Sequence, residues 1–210
     1  MIVKINFRDQ VRDILLDRMK TGALNAGDAI SLAKLSRELG VSVTPIREAL
    51  TQLQQASIIE AIPNRGFVIP EISTSDVKDV YELVACLECL AIENTTFSKS
   101  QLQKLKKQQQ LFKETTTAID RINADMVFHK VLTSGYHNKT AQRILEDLKI
   151  RIFFYEKGFM EKHGFYKYSS HHHEAIIECL EENNIAGAAF ILKKNWLQII
   201  DYVPYEKNIN

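Results

Sequence analysis

The chain has 210 residues, a formal net charge of +1, 45% hydrophobic and 25% charged residues, the composition of an ordinary soluble globular protein of one large or two small domains. Its three cysteines exclude a disulfide scaffold and point to a reducing compartment, while the near-neutral charge excludes a strongly basic coat for holding nucleic acid. No apolar run approaches the roughly 20 residues of a membrane span, and the opening MIVKINFRDQ has no signal-peptide pattern, so a cytoplasmic location without a membrane partner is expected.

In chain order, apolar residues Val11, Ile14, Leu15 and Met19 recur at helical spacing from about Gln10 to Lys20. Gly22 and Asn25-Ala26-Gly27-Asp28 break that pattern. SLAKLSREL then places Leu32, Leu35 and Leu39 on one helical face and stops at Gly40. In GVSVTPIREAL, Ile46, Ala49, Leu50 and Leu53 share the next face. SIIEAI and FVIP are short β-prone segments around Pro63-Asn64-Arg65-Gly66, a hairpin signal. These elements define a first domain over residues 1–70, followed by a polar linker at 71–75.

Beyond the linker, residues 76–206 read as an all-helical bundle. Six helices are predicted, at about 75–97, 99–117, 120–136, 138–160, 169–182 and 184–203, with breaks at Ser98, Thr117, His137-Asn138, Gly164 and Asn183-Asn184. The fold class is therefore mainly α. Charge divides weakly between the parts: nine Lys/Arg against seven Asp/Glu in residues 1–70, then 18 against 19. Any DNA contact must rest on where particular charges stand.

SLAKLSREL–GVS–TPIREALTQL has the two-helix, tight-turn grammar of a helix–turn–helix. Pro45 suits the first helical position, and Thr44 or Ser42 can cap the free N–H groups. Arg47 in the first turn opposes the helix dipole, a cost that makes sense if this end meets phosphate or a base edge. A simple corner between two core helices is the competing reading, but the basic hairpin that follows favours a winged helix.

Residues 10–69 resemble the GntR-family winged helix through the lead helix, ALNAGDAI, LSRELGVS, TPIREAL and the closing RGFV. The resemblance implies DNA contacts by Ser42, Thr44 and Arg47 at the recognition-helix start and by Arg65 and Gly66 at the wing tip. The family usually has arginine where this chain has Val43, glutamate at Leu32 and proline at Ala26, so the scaffold carries over but the operator sequence does not. Val43 is expected to meet DNA by apolar contact.

In the second domain, DMVFH places Asp125 and His129 four residues apart on one helical face. In HHHEAIIECL only His173 is in phase with Ile176, Ile177 and Leu180, and Asn195 lies between Leu192 and Ile199, facing inward. Carboxylate and neutral imidazole suit zinc, nickel, manganese or iron, and a structural Asp–His pair is the alternative. Residues 76–203 resemble the FCD domain of the FadR/VanR-like branch, in which Asp-x3-His and two later histidines hold a metal beneath an effector pocket. The resemblance implies ligands at Asp125, His129 and His173, with Asn195 at the fourth position. Val84 replaces the arginine that usually pairs with an effector carboxylate, leaving Arg151 and Tyr155 as candidates for an organic-acid effector.

Cys86-Leu-Glu-Cys89 sits mid-helix without a partner pair, Trp196 and the RIFFY segment read as core, and KLKKQQQ reads as a solvated face. The resemblance implies a ligand-responsive homodimeric repressor acting on a two-fold-related DNA operator. A helical-bundle metalloenzyme using Asp125, His129 and His173 is the alternative, although the chain offers no nucleophile–base constellation. A bundle that only dimerises is the third reading.

Overall fold

A computed structural model describes residues 7–63, 65–71, 73–159 and 166–201. Two compact units meet at residues 72 and 73.

The first unit begins with α1 (Phe7–Lys20), which buries Val11, Leu15 and Met19 at a four-residue spacing. β1 (Ala29–Ile30) follows, then α2 (Leu32–Leu39), whose N-cap Ser31 accepts a hydrogen bond from the Lys34 N–H. α2 ends at Gly40 with φ 64°, a left-handed corner that glycine enters at little cost. α3 (Val43–Gln55) buries Ile46, Ala49, Leu50 and Leu53 against α1 and α2. β2 (Glu60–Ile62) and β3 (Gly66–Val68) form the wing hairpin. The sheet is antiparallel in the order β1-β3-β2, with Phe67 opposite both Ile30 and Ala61.

Two details differ from the sequence-based expectation. The β1 edge strand was not expected, because two residues are too short for any period to show. Pro45 is the third helical residue instead of the first, and Ser42 holds the N-cap position without a side-chain cap hydrogen bond. The two facts are connected: a cap hydroxyl usually accepts from the second or third helical N–H, and proline at the third position has none. Asn64, expected at the hairpin tip, lies outside the described residues.

In the second unit six α-helices occur among the described residues: α4 (Thr74–Glu93), α5 (Lys99–Lys113), α6 (Ala118–Leu132), α7 (Lys139–Phe159), α8 (Tyr166–Glu181) and α9 (Ile185–Leu197), with a closing 3-10 turn at Gln198–Asp201. The polar breaks in the sequence act as caps. Ser98 and Gln101 form a reciprocal capping box, Thr117 accepts from the Asp120 N–H, and Asn184 accepts from the Gly187 N–H. The break expected at Gly164 and the expected ends at 203 and 206 fall outside the described residues. α4 packs on α7 and α9, α8 on α5 and α9, and α6 on α5 and α7. Val77, Val80, Tyr81, Val84, Ala85, Glu88, Ala91 and Ile92 form the buried stripe of α4. One member of that stripe is a carboxylate. No helix among the described residues is long and apolar enough to cross a membrane.

A Cβ at Gly40 would meet no atom within 4 Å, so substitution there tests backbone conformation alone. Gly40→Ala is expected to lower unfolding free energy by about 1 kcal/mol in a urea titration, and Gly40→Asn by less, because asparagine tolerates the left-handed region better.

Candidate functional site

At the start of α3, Ser42, Val43, Thr44 and Arg47 are all exposed. Val43 is 39% exposed, a large apolar side chain presented to solvent where the chain turns into the helix. With Ser42 uncapped and Pro45 at the third position, the first helical N–H groups have no side-chain partner from the N-cap. Such an end attracts anions through its free donors and the helix dipole. Arg47 enters no hydrogen bond or ion pair through its side chain among the described residues, so its guanidinium is available. On the wing, Arg65 is exposed beside Gly66, whose φ of 79° lets the chain turn back into β3.

In the second unit, Asp125, His129 and His173 converge from α6 and α8, with one ligand atom from each lying within 4.8 Å of the others. All three are buried, as is Asn195 on α9. His173 Nε2 is 3.3 Å from Asp125 Oδ1, and His129 Nε2 is 3.7 Å from Asp125 Oδ2. Asp125 Oδ1 and His173 Nε2 are buried without a hydrogen-bond partner, despite their closeness. Two orphaned buried polar atoms facing one point fit a cation between them.

The far side of each ring shows why these nitrogens face inward. His129 Nδ1 lies 2.6 Å from Glu88 Oε2, so Nδ1–H donates to the carboxylate and the lone pair stands on Nε2. His173 Nδ1 lies 3.0 Å from Gln109 Oε1. The Gln109 amide is itself oriented, because its Nε2 donates to the Ser170 carbonyl and hydroxyl, both at 3.0 Å. Both imidazoles are thereby set in the tautomer a metal needs. Phe128 stacks on His173 with centroids 3.8 Å apart, and Trp196 covers His129 at 4.2 Å.

Glu88 has a wider role than holding His129. Trp196 Nε1–H donates to its Oε2 at 2.7 Å, and Lys149 Nζ approaches its Oε1 at 2.5 Å. Burial alone would raise this carboxyl, but the adjoining Lys149 ammonium and the hydrogen bond from His129 Nδ1–H hold it below its ordinary value. His173 moves below its ordinary 6.5, chiefly because burial disfavours the charged ring, with Asp125 opposing. A neutral imidazole keeps its lone pair for coordination.

Arg151 and Tyr155 also come together. Arg151 Nη2 donates to the Tyr155 hydroxyl at 2.9 Å and lies 3.9 Å from Asp76 Oδ2. Their described polar contacts do not include Asp125, His129 or His173. Tyr81, one turn below Val84 on α4, donates its hydroxyl to buried Glu156 at 3.1 Å. Cys89 donates to the Ala189 carbonyl at 3.3 Å, and burial pushes its thiol up to about 11, the reverse of a reactive thiolate.

Glu88, Gln109, Lys149 and His172 were not anticipated from sequence as parts of the centre. The signal was a polar residue in phase with an apolar stripe: Glu88 between Ala85 and Ile92, Gln109 between Leu105 and Phe112, and Lys149 between Leu145 and Ile152.

A winged helix joined to a helical bundle with an internal Asp–His–His group defines a class of DNA-binding regulator. Residues 7–69 match the family "Bacterial regulatory proteins, gntR family", and residues 79–195 match the "FCD domain". The chain belongs to the GntR family of transcriptional regulators, in its FCD-domain branch, and the metalloenzyme reading is set aside because both domains are those of transcription regulators. It is 27% identical over 157 residues to the uncharacterized HTH-type transcriptional regulator YdhC of Bacillus subtilis (strain 168), covering 71% of this chain and 68% of that protein. It is 28% identical over 148 residues to the HTH-type transcriptional regulator McbR of Escherichia coli (strain K12), covering 68% and 67%. The solved structure of E. coli McbR/YncC shares the fold with a TM-score of 0.77 at 21% identity, over 95% of this chain and 97% of that one.

Two pH effects follow with the same sign. Glu88 is depressed from 4.5, so its stabilisation is complete above pH 4.5 and is lost as pH falls below it. His173 is depressed from 6.5, so its stabilisation is complete above pH 6.5 and declines below it. The urea midpoint of the metal-free protein is expected to fall steadily on acidification from pH 7. Glu88→Gln is expected to cost about 3 kcal/mol at pH 7 and to remove the part of the decline below pH 4.5.

Proposed function

We propose that the protein is a homodimeric, ligand-responsive repressor that binds a two-fold-related DNA operator in the cytoplasm. The observation that carries this reading is the uncapped, exposed start of α3, with Ser42, Val43, Thr44 and Arg47, in the same unit as the wing arginine Arg65. The α3 N-terminus suits the major groove, where Arg47 can take a guanine edge or phosphate and Val43 can contact a thymine methyl. Arg65 and Gly66 suit the adjacent backbone.

The second unit is the effector and dimerisation domain in this reading. Leu83 and Leu90, seven residues apart on α4, are 47% and 41% exposed, an apolar strip opposite the buried stripe and suited to a second copy of the chain. Two winged helices held by such a dimer address half-sites about one DNA turn, ~34 Å, apart. Asp125, His129 and His173 would hold a divalent zinc, nickel, manganese or iron ion, with Asn195 beside them, and the site would then carry positive charge suited to an organic-acid effector. Arg151 and Tyr155 add a guanidinium and a hydroxyl at the same bundle. Effector binding favours one spacing of the two winged helices, and that differential affinity is the coupling between the sites. An occupied operator excludes polymerase, so release of DNA is the switch.

Gel shifts on the protein's own upstream DNA test the DNA reading. Arg47→Ala is expected to weaken specific binding by roughly 10- to 100-fold while leaving weak non-specific binding, and Val43→Arg to change operator preference. Equal affinity for operator and random duplex at every salt concentration would sink the regulator reading. For the metal, purified protein is expected to contain about one divalent ion per chain by elemental analysis, and His173→Ala to contain almost none; equal metal in both would remove the site.

A further inference from the structure

Asn195, on α9 beside the Asp125–His129–His173 group, has two amide atoms that touch two different histidines. Nδ2 lies 3.4 Å from His129 Nε2, and Oδ1 lies 3.3 Å from His172 Nδ1. His172 is half-buried, directly before His173 on α8. The orientation of this amide follows from the groups around it. His129 Nδ1–H donates to Glu88, so His129 Nε2 presents a lone pair. A lone pair calls for a donor, which is Asn195 Nδ2. Oδ1 then faces His172, whose Nδ1 must carry a proton to donate to it. The chain from Glu88 through His129 and Asn195 to His172 is thus a directed series of hydrogen bonds.

We infer that Asn195 and His172 form a relay that completes the metal centre: Asn195 turns its amide over when an ion is held, and His172 stabilises the turned form. The inference rests on the metal reading above. Coordination by His129 Nε2 uses the lone pair that Asn195 Nδ2 now contacts, and it places positive charge against the amide hydrogens. A half-turn of the terminal amide, which is nearly isosteric and disturbs no packing, brings Oδ1 toward the ion and Nδ2 toward His172. His172 Nδ1 then accepts from Nδ2, so its single proton moves to Nε2 by exchange with water. The ring stays neutral throughout. Asn195 thereby supplies an oxygen ligand in place of an imidazole, and His172 is a positioning residue for it. A set of two imidazoles, one carboxylate and one amide oxygen is harder than a set with a third imidazole, which favours manganese relative to zinc.

Competition of the full-length protein with a chelator for zinc, run in parallel on wild type, His173→Ala, His172→Ala, His172→Gln, Asn195→His and the double variant Asn195→His with His172→Ala, separates the possibilities. The relay predicts that His172→Ala loses roughly 10- to 100-fold in zinc affinity. His172→Gln should retain most of the affinity, because a glutamine amide can also accept from Nδ2. In the Asn195→His background, His172→Ala should have little further effect, since an imidazole at 195 needs no such partner. Nitrogen-15 NMR supplies a readout that a packing role would not move: adding zinc should carry the proton of the His172 ring from Nδ1 to Nε2. Wild-type affinity in His172→Ala together with an unchanged His172 spectrum overturns the relay while the metal site stands, provided His173→Ala still loses zinc. No zinc binding by wild type, or equal binding by His173→Ala, overturns the metal reading and the relay with it.

Discussion

The carboxylate of Glu88 lies on the buried stripe of α4 and meets groups from three other helices: His129 on α6, Lys149 on α7 and Trp196 on α9. Placing a full charge there is costly unless it is paired and hydrogen-bonded, and here an imidazole and an indole donate to Oε2 while the Lys149 ammonium stands beside Oε1. The arrangement has a chemical consequence beyond cohesion. By accepting from His129 Nδ1, Glu88 decides which nitrogen of that ring carries its lone pair into the bundle, and so decides the character of the whole centre. Gln109 does the same for His173 with a neutral oxygen, itself oriented by Ser170. The centre is therefore built from outside inward: outer groups fix tautomers, tautomers fix the ligand face, and Asp125 closes it.

The two units treat polar groups in opposite ways. In the bundle, three buried side-chain atoms among the described residues lack a hydrogen bond: Glu88 Oε1, which has the Lys149 ammonium beside it, and Asp125 Oδ1 and His173 Nε2, which lie 3.3 Å apart. At the start of α3 the polar groups are left open to solvent, because Pro45 removes the N–H that Ser42 would otherwise cap. A closed network with one gap suits a small cation and what it draws in; an open helix end with a nearby arginine suits a polyanion. The two units thus differ in how completely each satisfies its own hydrogen bonds.

Much of this organisation was legible in the amino-acid order. Helical periodicity located the helices, and Ser98, Thr117 and Asn184 marked their starts because short polar side chains cap free N–H groups. Asp125 and His129 could be paired because four residues span about one helical turn, and His173 could be chosen over His171 and His172 by its phase with Ile176, Ile177 and Leu180. Less visible was the short strand β1, which depends on pairing with β3, and the cap geometry at Ser42, which turns on one missing N–H.

What the sequence determined by itself is the set of local relations: which faces are apolar, where helices begin and stop, and which polar residues face inward. Only the tertiary structure decided which of those inward groups meet. His129 and Glu88 are 41 residues apart, His173 and Gln109 64, and Asn195 and His129 66. No periodicity within one helix reports on such pairings, because they arise from how helices pack and from the need of each buried charge and amide to find a partner. That need assembled Glu88, Gln109, Lys149 and His172 around Asp125, His129 and His173, which the sequence had already turned toward the core.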